Sequence, residues 1–311
     1  MDAIQIRDVT KTFGAATAVD RLSLTVPEGS IYGFIGPNGS GKTTTMRMIV
    51  GIFQPDAGSI DVLGKPMSTD RSGLIGYLPE ERGIYSKMTL RSLLEFHGEL
   101  RGGGNVAAQV DAWLKRFDLS PWASRPVEAL SKGMTQKVQF IAAVVPAPRL
   151  LILDEPFSGL DPVSAQSIRE AILELRLKGS TVVLSTHDMG IAETMCDRIV
   201  MIFRGKKMLD GTLEAIQEQY GNDTLRVTAE NGAACLDGIR GVEQVRDLGQ
   251  AQELRLARGG DTQEVLRTLI GRTRVTGFSI AKPSLHDIFI RIAGPESSSG
   301  QSAERLETHH A

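Results

Sequence analysis

Short apolar runs alternate with segments of helical spacing along the larger, N-terminal part of this chain. The runs at Ile31–Ile35, 149–155 and 181–185 are apolar at their centres, as in strands that a parallel sheet buries on both faces. The intervening residues 43–50 and 163–178 place their apolar positions at the spacing of a helix. The pattern predicts an α/β domain built around a parallel sheet.

Two further patterns shape this predicted domain. Residues 4–9 and 22–26 alternate apolar and polar positions, which is typical of half-buried strands. Residues 89–145 instead follow helical spacing, with three consecutive glycines at 102–104 separating two predicted helices. We interpret this region as a helical insertion at about 84–146, within a first domain that covers residues 1–220.

Past residue 220 the pattern changes to short elements in the order βαββαβ, followed by a last helix. This order predicts a small α+β domain at 221–294, compatible with a ferredoxin-like, split-βαβ sandwich. The predicted strands are 224–227, 242–248, 253–257 and 275–280, and the predicted helices are 233–239, 262–270 and 284–292. No catalytic grouping appears there, and Cys235 and His286 are interpreted as packing or surface residues. The polar segment 295–311 is predicted to be a disordered tail.

Composition narrows the classes of protein that remain. A length of 311 residues predicts about two domains, and a formal net charge of −2 gives no sign of a nucleic-acid surface. The two cysteines fit no metal-binding spacing, which favours a reducing cytoplasm. The first residues lack the apolar centre of a signal peptide, and prolines interrupt the longest apolar region, 138–153. Any membrane role is therefore expected to depend on a partner.

A glycine-rich loop between the first buried strand and the following helix carries the strongest chemical signal. It matches the phosphate-binding pattern G-x-x-x-x-G-K-[ST], in which backbone N–H groups and a helix N-terminus surround a phosphate. Lys42 is then placed for the β- and γ-phosphates and the Thr43 hydroxyl for Mg²⁺, whereas the alternative is a chance glycine-rich turn. The predicted phosphate-binding residues are Gly36, Pro37, Asn38, Gly39, Ser40, Gly41, Lys42, Thr43 and Thr44.

Polar residues end two of the other buried strands. Asp154 and Glu155 close the run RLLILDE, and His187 follows the run TVVLS by two residues. Ligands bind at the carboxyl ends of strands in open α/β sheets, so Asp154 fits a metal-bound acid and Glu155 a group acting on water. The alternatives are a solvated acidic turn and a structural histidine. Phe13 taken alone is more typical of a core residue.

The motifs together resemble the ATP-binding subunits of ABC transporters over residues 1–220. GPNGSGKTT resembles Walker A, LLILDE resembles Walker B with its catalytic glutamate, and LSKGM occupies the signature position. The resemblance implies ATP and Mg²⁺ as cofactors, and Lys42, Glu155 and His187 as catalytic residues. It further implies the following roles: adenine stacking for Phe13, metal binding for Thr43, Glu80 and Asp154, and nucleotide contacts for Glu80, Ser131, Gly133 and the D-loop Asp161.

Two departures from the usual family motifs point to a subfamily. LSKGM replaces the common LSGGQ, and Glu80 stands where the Q-loop glutamine is expected. Both variants, and KPSLHDIFI at 282–290, are similar to bacterial exporters of sodium, antibiotics and other substrates that carry a C-terminal accessory domain. The resemblance therefore extends to about residue 294 and implies export.

The resemblance also implies partners and a location. Two ATPase domains, in a homodimer or a heterodimer, are expected to face head to tail and to drive separate integral membrane permease subunits. The chain is then expected to be cytoplasmic and peripheral on the inner face of the cell membrane. One alternative is an ABC-type ATP switch that regulates a partner without transport. A second is a soluble machine acting on DNA or ribosomes, which is disfavoured by the single cassette and the lack of heptads or basic stretches; we expect no nucleic-acid partner.

Overall fold

The computed structural model describes residues 1–66, 73–81, 83, 85–100, 105–221, 224–230, 232, 236–257 and 259–294. The chain forms two compact units, Met1–Thr212 and Leu213–Ala311. The division lies ahead of the predicted boundary at residue 220, because the helix Leu213–Gln219 belongs to the second unit, where Gln217 Nε2 donates to Pro283 O at 3.0 Å. Cys235 and the predicted tail 295–311 lie outside the described residues.

The first unit contains a parallel sheet, an antiparallel sheet and a group of helices. Its strands are β1 (Asp2–Phe13), β2 (Ala16–Pro27), β3 (Ile31–Ile35), β4 (Ala57–Val62), β5 (Lys65–Pro66), β6 (Ile75–Leu78), β7 (Leu150–Asp154), β8 (Thr181–Thr186), β9 (Arg198–Phe203) and β10 (Lys206–Gly211). Its α-helices among the described residues are α1 (Lys42–Ile49), α2 (Leu90–Leu100), α3 (Val106–Arg116), α4 (Lys132–Val144), α5 (Pro162–Leu177) and α6 (Met189–Met195).

The six-stranded central sheet has the order β10-β9-β3-β8-β7-β6. Its strands run parallel except for the edge strand β10, which is antiparallel to β9. Every residue of β3, β7 and β8 is buried, which explains their continuous apolar sequences. The carboxyl ends of these three strands therefore lie along one edge of the sheet, where the sequence places its polar residues.

A second sheet, with the order β2-β1-β4-β5, is antiparallel and packs its apolar side against α1 and the central sheet. Helices α2, α3 and α4 form the predicted insertion and share one apolar core, to which α5 and strands of the central sheet also contribute. Trp113 stacks on Phe117 at a centroid distance of 6.0 Å and contacts Phe140 edge-on, so Trp113 is a packing residue. Within the described part of the chain, no helix combines the length and the apolar character needed to cross a membrane.

The second unit is built on an antiparallel sheet. Its strands are β11 (Thr224–Ala229), β12 (Val242–Asp247), β13 (Gln252–Leu256) and β14 (Val275–Ala281), and its helices are α7 (Leu213–Gln219), α8 (Thr262–Arg272) and α9 (Leu285–Ala293). The strand order is β12-β13-β11-β14, so the first and third strands in chain order are central. The α/β class of the first unit and the α+β class of the second are confirmed.

Two differences from the sequence-based elements have local causes. The helix predicted at 233–239 is wrong for its described part, because Leu236 and Ile239 are buried in the core but lie in irregular structure. Helix α6 was not predicted, since seven residues are too few to display helical periodicity. It begins at Asp188, whose side chain accepts hydrogen bonds from the backbone N–H groups of Gly190 and Ile191.

Candidate functional site

The phosphate loop depends on glycines that no other residue could replace. Gly36 and Gly41 have φ angles of +148° and +107°, which disfavour any side chain. A Cβ atom at Gly36 would lie 2.1 Å from the Ile202 carbonyl oxygen, and one at Gly41 would lie 2.4 Å from that of Ala18. The loop therefore packs closely against β9 and β2 just before α1 begins. Ala18 of β2 also lines the cavity at this loop, and nothing in the sequence indicated that contact.

The loop forms one side of a cavity of about 270 Å³. The residues lining this cavity are Ala18, Asn38, Gly39, Ser40, Gly41, Lys42, Thr43, Thr44, Glu80 and Glu155. The structure thus brings together most of the loop, the glutamate at the end of β6 and the glutamate after β7. Gly36 and Pro37 lie beneath it, where their carbonyl oxygens accept hydrogen bonds from Lys42 Nζ at 2.7 and 3.1 Å.

Lys42 is a buried cation surrounded by carboxylates. Only 5% of the residue is exposed, and this burial lowers the pKa of its ammonium group. The charges of Glu155, Asp154 and Glu80 oppose that decrease in pKa. An anion binding in the cavity would add to this support for the charged form of Lys42, because it would place further negative charge beside a desolvated ammonium.

Ser185 links the two acids at the end of β7, and the sequence analysis did not single it out. Its hydroxyl donates to Asp154 Oδ1 at 2.5 Å and accepts the backbone N–H of Glu155 at 2.9 Å. The β7–β8 register places Asp154 directly opposite Ser185, so the pairing of two buried strands ending in polar residues was the available signal. Glu155 has a φ angle of +48°, a strained backbone conformation that this hydrogen bond helps to hold.

His187 contacts the side chain of Glu155. The distance from His187 Nδ1 to Glu155 Oε1 is 3.0 Å, with Glu155 buried and His187 largely exposed. Burial raises the pKa of the Glu155 carboxyl above its usual value, and the contact with His187 opposes this rise. A carboxyl with a raised pKa is a stronger proton acceptor once it is ionised.

Two buried oxygens in this region have no hydrogen-bond partner among the described residues, Ser40 Oγ and Asp154 Oδ2. Buried polar atoms usually have a partner, so both are suited to a ligand in the cavity. No group of three or more metal-ligating side chains occurs in the described ranges. The oxygen donors Thr43, Glu80 and Asp154 suit Mg²⁺, which typically takes one or two protein groups and completes its shell with substrate phosphates and water.

Comparison with known proteins identifies the family. Residues 19–158 match the family described as ABC transporter, and residues 211–293 match that described as ATP-binding protein DrrA1-3-like, C-terminal domain. The uncharacterized ABC transporter ATP-binding protein YhaQ of Bacillus subtilis is 40% identical over 293 residues, which cover 94% of this chain and 98% of YhaQ. The chain belongs to the ABC transporter ATP-binding proteins.

Further relatives agree with this assignment. The Nod factor export ATP-binding protein I of Sinorhizobium fredii is 33% identical over 303 residues, covering 94% of this chain and 87% of that protein. A solved structure titled as the ATP binding subunit of an ABC transporter superposes with a TM-score of 0.67 at 30% identity, covering 70% and 93% of the two chains. This ABC protein therefore binds ATP and is an ATPase.

The predicted adenine-stacking residue of the ABC domain, Phe13, lies at the end of β1 and does not line the phosphate cavity. It is 46% exposed, and its ring packs edge-on against Phe53 at a centroid distance of 5.3 Å. The Arg47 guanidinium lies 5.9 Å from the Phe53 ring, and its Nη2 is 3.2 Å from Glu81 Oε1. These contacts connect the exposed aromatic ring, through helix α1, to the residue next to Glu80.

The remaining predicted nucleotide contacts lie together, but they do not line the phosphate cavity of the same chain. Ser131 caps α4, where its Oγ accepts the Met134 N–H at 3.3 Å, and Asp161 caps α5. The hydrogen bonds from the Ser164 side chain and N–H lower the pKa of Asp161. A Cβ atom at Gly133 would be 3.9 Å from Asp161 Oδ2, so the signature helix and the D-loop of the ABC domain are neighbours.

Proposed function

We propose that this chain is the ATP-hydrolysing subunit of an exporter and that it drives a separate membrane permease. The observation that carries the proposal is the single cavity in which the phosphate loop, Glu80 and Glu155 meet. It combines donors for phosphate oxygens with a buried carboxylate that can act on water. A buried ammonium and a histidine lie within reach of that carboxylate.

Each side chain at the phosphate end has a chemical role in this proposal. Lys42 and the loop N–H groups bind the β- and γ-phosphates, and the fixed positive charge stabilises the charge that develops on the transferred phosphoryl group. Glu155 orients the attacking water and accepts its proton. His187 holds the Glu155 carboxylate through Nδ1 and contacts the γ-phosphate with its other edge.

Mg²⁺ fits the oxygens at this site. Thr43 and Asp154 would hold the ion, with Glu80 facing it, and Asp154 Oδ2 is the buried oxygen available for that purpose. When bound, Mg²⁺ would supply neutralisation of the phosphate charges. Ser185 donates to the other oxygen of Asp154, Oδ1, which leaves Oδ2 for the ion.

We further propose that two ATPase domains share each ATP, in a homodimer or a heterodimer. Ser131 and Gly133 lie outside the cavity of their own chain, at the N-terminus of α4, where backbone N–H groups and the helix dipole favour an anion. In a head-to-tail pair these residues and Asp161 would contact the nucleotide of the opposite domain. ATP would then close the pair and hydrolysis would reopen it.

Export, a permease partner and a position on the inner face of the membrane are proposed from similarity. The relatives from Sinorhizobium fredii and Rhizobium are named as Nod factor export ATP-binding proteins, at 33% and 34% identity. They support an export role without fixing the transported substrate. The residues that would move with ATP belong to the helical insertion α2–α4, which is the part expected to contact a permease.

The proposal is tested by reconstitution. The chain is purified from membranes together with any integral membrane protein that binds it, placed in lipid vesicles and assayed for MgATP hydrolysis and for ATP-dependent solute movement. We expect both activities in the wild-type complex and neither in a complex that carries Lys42→Ala. Hydrolysis and membrane association without movement of any solute tested would instead favour an ATP switch that regulates its partner.

A further inference from the structure

Phe13, the predicted adenine-stacking residue, lies close to the phosphate cavity on the hairpin formed by β1 and β2. Strand pairing places Phe13 opposite Ala16 and Thr12 opposite Thr17. Ala18, which lines the cavity, follows Ala16 by two residues, a distance of about 7 Å along a strand. The base of a nucleotide held in the phosphate loop therefore has the Phe13 ring within its reach.

Backbone pairing is incomplete at this end of β1. Strand β4 pairs with β1 only as far as Thr10, which lies opposite Ala57. The register of β1 with β2 shifts between Val9 and Lys11 and again between Lys11 and Thr12. Regular strand pairing alone therefore does not fix the aromatic residue that follows.

Asp56, the residue just before β4, holds the end of β1 with its side chain. Its Oδ2 accepts hydrogen bonds from the Thr12 N–H and from the Thr12 hydroxyl, both at 2.7 Å. Its Oδ1 accepts from Lys11 Nζ at 2.8 Å, and its own N–H donates to Thr10 O at 2.9 Å. The hydrogen bonds from Lys11 and Thr12 lower the pKa of Asp56 to about 2, so the carboxylate is ionised at neutral pH.

The loop that carries Asp56 also supports the Phe13 ring directly. Phe53, three residues before Asp56, contacts this ring edge-on at a centroid distance of 5.3 Å. Lys11 Nζ, which Asp56 holds, lies 5.5 Å from the centroid of the Phe13 ring. The backbone N–H of Phe53 donates to Arg47 O on α1 at 3.2 Å. The loop therefore connects the ring to the helix that begins at the phosphate loop.

A gain in stability alone is a weak explanation for this arrangement. Ion pairs between exposed side chains contribute little to stability, and the side chain of Asp56 is 41% exposed. Its hydrogen bonds nevertheless reach the two residues that precede Phe13, and one of the donors, Lys11, also contacts the ring itself. An aromatic ring binds a base through its face, so the orientation of the ring determines how well the base stacks.

We propose that Asp56 is a positioning residue for the nucleotide base, because it fixes Lys11 and Thr12 and, through them, the Phe13 ring. The proposal rests on the prediction that Phe13 stacks on the adenine of ATP bound in the proposed nucleotide site. In this role Asp56 touches no part of the nucleotide itself. Its loss weakens the binding of ligands that carry a base and leaves the binding of bare phosphates unchanged.

The experiment measures the Kd of two ligands for the full-length chain, with Mg²⁺, by isothermal titration calorimetry. One ligand is a non-hydrolysable ATP analogue, and the other is inorganic tripolyphosphate, which lacks the base and the ribose. We expect Asp56→Ala to raise the Kd for the analogue about fivefold or more, a part of what one base stack contributes, and to leave the Kd for tripolyphosphate within about twofold of the wild type. An equal loss of affinity for both ligands would overturn the proposal, because it would indicate a general effect on the fold.

Two further variants serve as control and as safeguard. Asp61→Ala is the matched control, since Asp61 lies on β4 of the same sheet and pairs with Arg7 at 2.7 Å; it should change neither Kd. The near-isosteric Asp56→Asn keeps an acceptor for Thr12 and weakens the ion pair with Lys11, so its effect on the analogue should be smaller than that of Asp56→Ala. It also keeps the test decisive if the alanine variant does not fold.

A double variant shows whether Asp56 acts through Phe13. Phe13→Ala should raise the Kd for the analogue roughly tenfold, the scale of one base stacked on an aromatic ring, and should hardly affect tripolyphosphate. Adding Asp56→Ala to Phe13→Ala should cause little further loss, because residues that act as one unit are not additive. This cycle needs only the analogue, so it decides the question even where tripolyphosphate binds too weakly to measure.

The same variants separate two ways of failing. If Phe13→Ala behaves as expected but Asp56→Ala leaves analogue binding unchanged, or adds its full effect in the double variant, the positioning role alone is overturned. If Phe13→Ala weakens the binding of neither ligand, or of both alike, the predicted base contact is wrong and the positioning role is overturned with it.

Discussion

The central sheet of the first unit and the sheet of the second unit differ in how many of their faces are buried. All residues of β7 and β8 are buried, so polar groups occur only where these strands end. No residue of β12 is fully buried, and β13 alternates buried with half-buried positions. The polar groups of the central sheet lie at one edge, whereas the sheet of the second unit carries charged side chains across one face.

This difference determines what each sheet can do. At the edge of a parallel sheet, residues that are consecutive in sequence, such as Asp154 and Glu155, share one desolvated location beside a helix N-terminus. Burial at such a location can shift the pKa of a carboxyl group, and the ends of the strands can hold that group next to a reacting atom. On an open antiparallel face, solvent and salt screen each charge, so a single side chain there interacts more weakly with its neighbours.

Glu155 is the residue whose replacement should affect ATP hydrolysis most. We expect Glu155→Gln to lower kcat for ATP by roughly 10²–10⁴-fold, the usual effect of losing a general base, while ATP still binds. Because burial raises the pKa of Glu155, kcat of the wild type should fall as the pH is lowered through that pKa. Steady-state hydrolysis and its pH profile measure both effects.

Glu170→Gln, on the exposed side of α5, is the matched control and should hydrolyse ATP normally. Light scattering on Glu155→Gln with MgATP tests the proposed shared site, because ATP that is not hydrolysed should keep two domains together. A Glu155→Gln chain that remains monomeric with ATP and with its permease present would contradict the head-to-tail dimer. Unchanged hydrolysis would contradict the role of Glu155 itself.

The polar residues at the edge of the central sheet could be predicted from the sequence for a physical reason. Strand β3 was predicted with its observed bounds, and the other buried strands to within one or two residues, because an apolar run that ends in acids has few other interpretations. The contribution of Ser185 could be inferred only from the pairing of β7 with β8. Its role arises from strand register, which places it opposite Asp154 across the sheet.

The charged face of the second unit's sheet could not be predicted, although the α+β class of that unit was. Its charged residues come from separate strands, and each of them taken alone resembles an ordinary surface residue. The incorrectly predicted part of the helix at 233–239 has a related cause: Leu236 and Ile239 have helical spacing, but the core of the unit holds them in irregular structure. Tertiary packing overrides local pattern there.

Lys42 is expected to contribute mainly to nucleotide binding. We expect Lys42→Ala to raise the Kd for MgATP by roughly tenfold to a hundredfold, since hydrogen bonds to charged groups contribute about 1.5–3 kcal/mol. Lys178→Ala removes an exposed lysine that pairs with Glu174 and is the control. Equilibrium binding of a fluorescent ATP analogue measures the change. Equal affinities in the two variants would show that the phosphate loop does not need its cation.

A smaller effect on kcat is expected at Ser185, which pairs with Asp154 at the end of β7 and β8. Ser185→Ala should lower kcat by roughly tenfold and leave the Kd for ATP unchanged, because it removes a hydrogen bond to Asp154 and leaves the Glu155 N–H unpaired. Ser180→Ala is the control: its hydroxyl donates to Pro148 O at the opposite end of the same pair of strands. A rise in Kd with unchanged kcat would assign Ser185 to nucleotide binding instead of positioning the acids.

The smallest effect on ATP chemistry is expected from a core truncation in the second unit. Leu254→Ala and Leu153→Ala both shorten a fully buried leucine, and each should lower the free energy of unfolding by about 2–5 kcal/mol. Only Leu153 directly precedes Asp154, so only its truncation should also lower kcat. Leu254→Ala should leave kcat and the Kd for ATP within about twofold of the wild type, since Leu254 packs in the second unit's own apolar core. Thermal unfolding and steady-state kinetics on both variants separate the two outcomes. If Leu254→Ala lowers kcat as much as Leu153→Ala does, the second unit contributes to ATP chemistry, and the assignment of that chemistry to the edge of the central sheet alone is wrong.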